Sequence, residues 1–85
     1  MSTFGKRDRV TILMDILKSA GGSKDGKKKT QILQSANLNY NQANKYLELL
    51  MVNGLVLVDN EDRYRITSRG LHFVQTLESL NLRLK

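Results

Sequence analysis

From Asn39 to Gly54 the chain reads NYNQANKYLELLMVNG, and this stretch limits its possible folds more than any other. Apolar side chains recur at Ala43, Tyr46, Leu47, Leu50 and Met51, the i, i+3, i+4, i+7, i+8 spacing of a helix with one buried face. Both ends are marked. Asn39 can cap the free amides of the first turn, and Gln42, three residues on, completes a capping box. Gly54 supplies the left-handed residue that closes a helix. The opposite face carries Asn41, Asn44, Lys45 and Glu48, with Gln42 on its flank. Asn, Gln and Lys are side chains that pair with base edges and phosphates in a major groove. They also make an ordinary solvated face, so the helix alone does not decide between the two.

Its neighbours narrow the choice. Thr30, or the lysines before it, opens a short helix through Ala36 with Ile32, Leu33 and Ala36 inward, and Asn37-Leu38 forms a tight turn. Short helix, brief turn and second helix make a helix-turn-helix, although any two packed helices can give that spacing. A further helix is expected from Asp8 to Ala20, with Val10, Leu13, Met14 and Leu17 in one stripe and Ile12 and Ile16 on a second side. Residues 21–29, GGSKDGKKK, read as a flexible lysine-rich loop. Gly21, Gly26 and Lys27 nearly match a phosphate-cradling loop. However, Lys28 stands where Ser or Thr is required, and a helix precedes where a strand is needed.

After Gly54 the period changes. Leu55 to Asp59 is apolar and β-branched, Asn60-Glu61-Asp62 is a turn cluster, and Arg63 to Thr67 alternates. Two strands around a turn predict a β-hairpin with Tyr64 and Ile66 inward and Arg63 and Arg65 outward. Thr67 or Ser68 then caps a last helix to about Leu84.

Composition removes other functions. The 85 residues contain no Cys and a single His, which excludes disulfides and thiolate or zinc centres, so no metal or cofactor is expected. His72, beside Gln75 and Ser79 on the polar side of the last helix, has no nucleophile or base to work with. That argues against an enzyme. No apolar run approaches the roughly 18–20 residues of a membrane span, and no signal peptide opens the chain, so a soluble cytoplasmic protein is expected. Fourteen Lys and Arg against eight acids give a net charge of +6. The positive residues gather at Lys6, Arg7 and Arg9 and at Lys24, Lys27, Lys28 and Lys29, the acids at Asp59, Glu61 and Asp62. A polyanion partner fits that asymmetry.

Three helices and then a hairpin is the order of a winged helix, a mainly α fold with a β-hairpin. The residues that carry the likeness are Lys29-Thr30-Gln31-Ile32, Ala36-Asn37-Leu38-Asn39-Tyr40, Lys45-Tyr46-Leu47-Glu48-Leu49-Leu50, Asn53-Gly54-Leu55 and Tyr64-Arg65-Ile66-Thr67-Ser68-Arg69-Gly70. Over roughly residues 8–84 the chain resembles small archaeal winged-helix DNA-binding proteins. That group includes chromatin-associated proteins and predicted transcriptional regulators, some dimerising through a C-terminal helix. The resemblance implies double-stranded DNA as partner and a nucleoid-associated location, with the Asn39–Asn53 helix in the major groove and the hairpin as the wing. The expected contact set is Lys27, Lys28, Lys29, Thr30, Gln31, Asn39, Tyr40, Asn41, Gln42, Asn44, Lys45, Arg63 and Arg65. Lysines and arginines would hold phosphates; Asn41, Asn44, Lys45 and Gln42 would face bases. The acidic tip at Asp59 to Asp62 departs from this pattern and argues against deep insertion of the wing.

Phe73, Leu77, Leu80 and Leu84 repeat at intervals of four, three and four, the seam of a coiled coil. With Ile12 and Ile16 they predict a homodimer interface. The expected organisation is a basic flexible N-terminus at 1–7, a winged helix-turn-helix domain at 8–67 and a dimerisation helix at 68–85. A protein-interaction module without DNA readout is the alternative. RNA binding fits less well, because splayed bases need aromatic platforms and only three Tyr and two Phe exist.

Overall fold

A computed structural model describes residues 8–84, with side chains to residue 80. The order is α1 (Arg9–Gly21), β1 (Lys27–Lys28), α2 (Lys29–Ala36), α3 (Tyr40–Val52), β2 (Val56–Val58), β3 (Arg63–Ile66) and α4 (Ser68–Leu84). The three strands form an antiparallel sheet in the order β1-β3-β2.

Each helix begins and ends on local chemistry. Asp8 caps α1 by accepting from the Thr11 amide at 2.8 Å. In α3 the capping box is complete: Asn39 Oδ1 accepts from the Gln42 amide at 2.8 Å, and Gln42 Oε1 accepts from the Asn39 amide at 3.1 Å. Its end is a Schellman motif on Gly54, at φ 72°, with Leu55 N donating to Leu50 O and Gly54 N to Met51 O. The turn between α2 and α3 closes in the same way on Asn37, at φ 55°, one of the few side chains that tolerates the left-handed region.

The core forms where α1, α2 and α3 meet the sheet. Ile16, Leu17, Ile32, Leu47 and Leu50 are its largest fully buried side chains. Removing each from water contributes about 1.5–3 kcal/mol. Ala36, Ala43, Val56, Tyr64 and Val74 complete it. The one buried polar residue described, Ser19, is satisfied: its hydroxyl lies 2.6 Å from that of Ser35, which donates onward to Gln31 O. That chain ties α1 to α2 without an unpaired polar group.

The structure corrects three expectations. Ile12 and Ile16 are 8% and 0% exposed within a single chain, so neither can meet a second copy. They are the core face of α1, and Val10, expected inward, is 51% exposed instead. Residues 27–28, expected in a flexible loop, form a strand, with Lys27 paired to Tyr64 and Lys28 to Arg63. Gly26 permits this by its φ of 81° and by having no Cβ, which would stand 2.8 Å from Tyr64 O. On α4, Leu71 is 50% exposed and Val74 is buried. Lys6, Arg7 and the side chain of Leu84 lie outside the described residues.

The junction between hairpin and α4 explains the run Ile66-Thr67-Ser68-Arg69-Gly70. Thr67 Oγ1 accepts from the Gly70 amide at 2.9 Å and donates to Gly54 O at 2.7 Å, so it caps α4 while tying it to the end of α3. Gly70 is buried, and a Cβ there would lie 2.2 Å from Leu55 O. Only glycine lets the helix sit this close to the start of β2. Farther along, Phe73 and Leu77 pack partly on the core, and Lys18 meets Glu78 at 2.7 Å.

Candidate nucleic-acid interface

The burial of α3 separates its two faces. Ala43, Leu47 and Leu50 are buried, whereas Asn41, Gln42, Lys45 and Glu48 are exposed and Asn44 is half-buried. Asn44 is partly covered by a cation from another element. Lys29, the first residue of α2, donates from Nζ to Asn44 Oδ1 at 2.5 Å and stands 5.1 Å from the centre of the Tyr40 ring. Tyr40 is 59% exposed, so this ammonium is supported on the surface and not sealed in the core. Lys45 lies 6.0 Å from the ring centre of Tyr46.

From Lys29 the basic surface runs back into the sheet. Lys28 is exposed and paired across the strands with Arg63; Lys27 is half-buried opposite Tyr64. Alternation along β3 turns Arg63 and Arg65 away from the buried Tyr64, onto the face that Lys28 shares. Thr30 and Gln31 are exposed in the first turn of α2, and Gln31 Oε1 accepts from the Lys28 amide at 3.0 Å. The structure therefore brings Lys28, Lys29, Thr30, Gln31, Tyr40, Asn44 and Arg63 onto connected surface. Asn39 and Gln42 belong to it as well, though each has its side-chain oxygen engaged by the cap.

Arg65 is the exception among the cations. Its Nε donates to Asp59 Oδ2 at 3.0 Å and its Nη1 to Lys24 O at 2.7 Å. Two of its donors thus brace the hairpin against the loop before β1. Asp59 also accepts from the Glu61 and Arg63 amides, at 2.9 and 3.1 Å. Those backbone amides first, and Arg65 after them, hold its carboxyl below the ordinary carboxylate range. The wing tip is thus a type I turn followed by Asp62 at φ 60°, the three-residue hairpin loop. One of the acids that sets this tip apart is there to build it. Glu61 stands 3.7 Å from Arg63 at the surface.

A second feature was not foreseen. A groove of about 370 Å³ runs beside α3, lined by Arg9, Lys45, Tyr46, Glu48, Leu49 and Val52. Leu49 and Val52 are 41% and 78% exposed. Arg9 reaches it only because α1 starts next to the end of α3, a tertiary proximity with no local signal. His72, Gln75 and Ser79 line a shallow surface on α4 with Thr76 and Leu80. Among the described residues, no cluster of three His, Cys, Asp or Glu is placed to hold a metal ion, and no helix is long and apolar enough to cross a membrane.

Comparison with known proteins agrees with this geometry. A family profile described as winged helix-turn-helix matches residues 6–85. Among solved structures, the crystal structure of Sso10a-2, a DNA-binding protein from Sulfolobus solfataricus, is similar to this chain. The TM-score is 0.66 at 28% identity, over 92% of this chain and 85% of that one. No curated protein sequence matches significantly.

Proposed function

The chain belongs to the winged helix-turn-helix family, and from that membership we propose that it binds double-stranded DNA with α3 in the major groove. The observation that carries this reading is the Lys29 contact with Asn44 and Tyr40. It joins the phosphate-type cations of β1 and the start of α2 to the base-type side chains of α3, so both kinds of contact lie on one surface. The likeness to a DNA-binding protein of similar length points the same way. Lys28 and Arg63 are the phosphate contacts; Lys27, paired with Tyr64 on the other face of the sheet, is not one of them. Asn41, Asn44 and Lys45 face the bases. Arg65 contributes through the shape of the wing. The protein is a non-catalytic binder, and base-type side chains on α3 favour a sequence-preferring regulator over a general chromatin protein.

It acts as a homodimer through α4. Leu80 is 52% exposed, Ser79 beside it is exposed, and Leu77 is only half-buried. An apolar stripe that leaves its own domain is suited to a second copy. A nucleoid-associated location follows from both contacts. Fluorescence anisotropy with a random duplex tests the reading: log affinity should fall linearly with log salt, with a slope of about −0.9 per phosphate neutralised. Absence of binding at low salt favours the second reading, a protein-interaction module, for which exposed Leu49 and Val52 beside α3 speak.

A further inference from the structure

Three amides on the α2–α3 surface each have the side-chain oxygen engaged by a donor of this chain. A lysine ammonium has only protons to give, so its contact with Asn44 must be to Oδ1, and the Asn44 amide nitrogen takes no part in it. Gln42 Oε1 is engaged by the Asn39 amide and Gln31 Oε1 by the Lys28 amide. Lys45, beside Asn44 and exposed, has donors alone. With one lone pair of each amide oxygen already taken and Lys29 and Lys45 adding only protons, the centre of this surface is richer in donors than in acceptors. In the major groove guanine offers two acceptors, N7 and O6, whereas adenine offers one acceptor and the N6 amine. Reading adenine with an amide requires its oxygen as well as its nitrogen. Here that oxygen is drawn back toward a cation, and an amine brought to this surface would meet Lys29 and Lys45.

We propose that Lys29 is a positioning residue that draws the Asn44 oxygen toward itself and presents Asn44 to the base as a donor, so that the chain selects guanine over adenine at the base facing Asn44. The proposal rests on the DNA-binding reading. It gives Lys29 a different part from Lys28: its ammonium is held between Asn44 and the Tyr40 ring, and its loss changes base choice more than phosphate affinity.

The test is selection from random duplexes with the full chain, then substitution of the base whose preference disappears in Asn44→Ala. Inosine, which keeps N7 and O6, should bind like guanine. Adenine or 7-deazaguanine should weaken binding roughly 5- to 100-fold. In Lys29→Met the guanine-to-adenine ratio should fall toward one while the salt slope is unchanged, and in an Asn44→Ala background Lys29→Met should add nothing. Thermal melts of each variant separate these effects from unfolding. Adenine preferred at that base, or no preference at all, would overturn the proposal. So would a Lys29→Met variant that keeps the ratio but lowers the slope by about 0.9, the mark of an ordinary phosphate contact. No binding to any duplex at low salt would instead overturn the DNA-binding reading itself.

Discussion

Thr67 and Gly70 show how single residues hold this fold. The threonine hydroxyl serves two elements, and the glycine leaves room for the Leu55 carbonyl. Gly70→Ala should cost about 1–3 kcal/mol through forced separation of α4 from β2, measured as a lower urea midpoint with an unchanged m-value. Thr67 was legible as a cap from its type and place. The need for glycine at 70 was not, because the atom it avoids belongs to a residue fifteen positions away. Asp59 reads from sequence as a repulsive acid, yet it is the acceptor around which the wing turns. Its pKa is lowered on folding, so its contribution is present in full above the unfolded carboxylate value of about 3.9 and is lost as pH falls through the folded one. Urea midpoints compared at neutral pH and near pH 2 should therefore differ more for the wild type than for Asp59→Asn.

Among the elements, α3 was the most legible. Its cap, its apolar period and its terminating glycine are local signals that agree with one another, and the structure reproduces each. β1 was the least legible, because two lysines carry no strand signal and become a strand only by pairing with Arg63 and Tyr64. The consequence is functional: Lys28 stands on a sheet edge at a fixed position instead of in a loose loop. Lys28→Ala with Arg63→Ala should weaken binding to all duplexes alike and flatten the salt slope by nearly two phosphates, about 1.8. Arg65→Ala should act differently, by loosening the hairpin tie to Lys24 and Asp59. A lower melting temperature without DNA would reveal it. An Asn44→Ala or Lys45→Ala variant should keep the fold and lose about 1–3 kcal/mol at a preferred site, and little on random DNA.

At the scale of the molecule, the long axis is 40 Å against 26 and 21 Å, an elongation consistent with a last helix that outruns its core. The heptad spacing of that helix was visible in sequence; how much of it the chain uses itself was not. Phe73 and Leu77 pack partly inward, which leaves Leu80 as the cleanest probe of dimerisation. Leu80→Glu should give monomers by sedimentation and remove any dependence of the melting temperature on protein concentration. The paired contact of two half-sites would go with it. The central claim, that α3 and the basic strand beside it form one DNA-binding surface, is tested most directly by following backbone and side-chain amides by NMR as duplex DNA is added at low salt. Lys28, Lys29, Tyr40, Asn41, Asn44, Lys45 and Arg63 should shift together while the outer face of α4 around His72 and Gln75 stays still. A spectrum that does not change, or one in which the shifts gather around Leu49 and Val52 and spare Lys28 and Asn44, would contradict it.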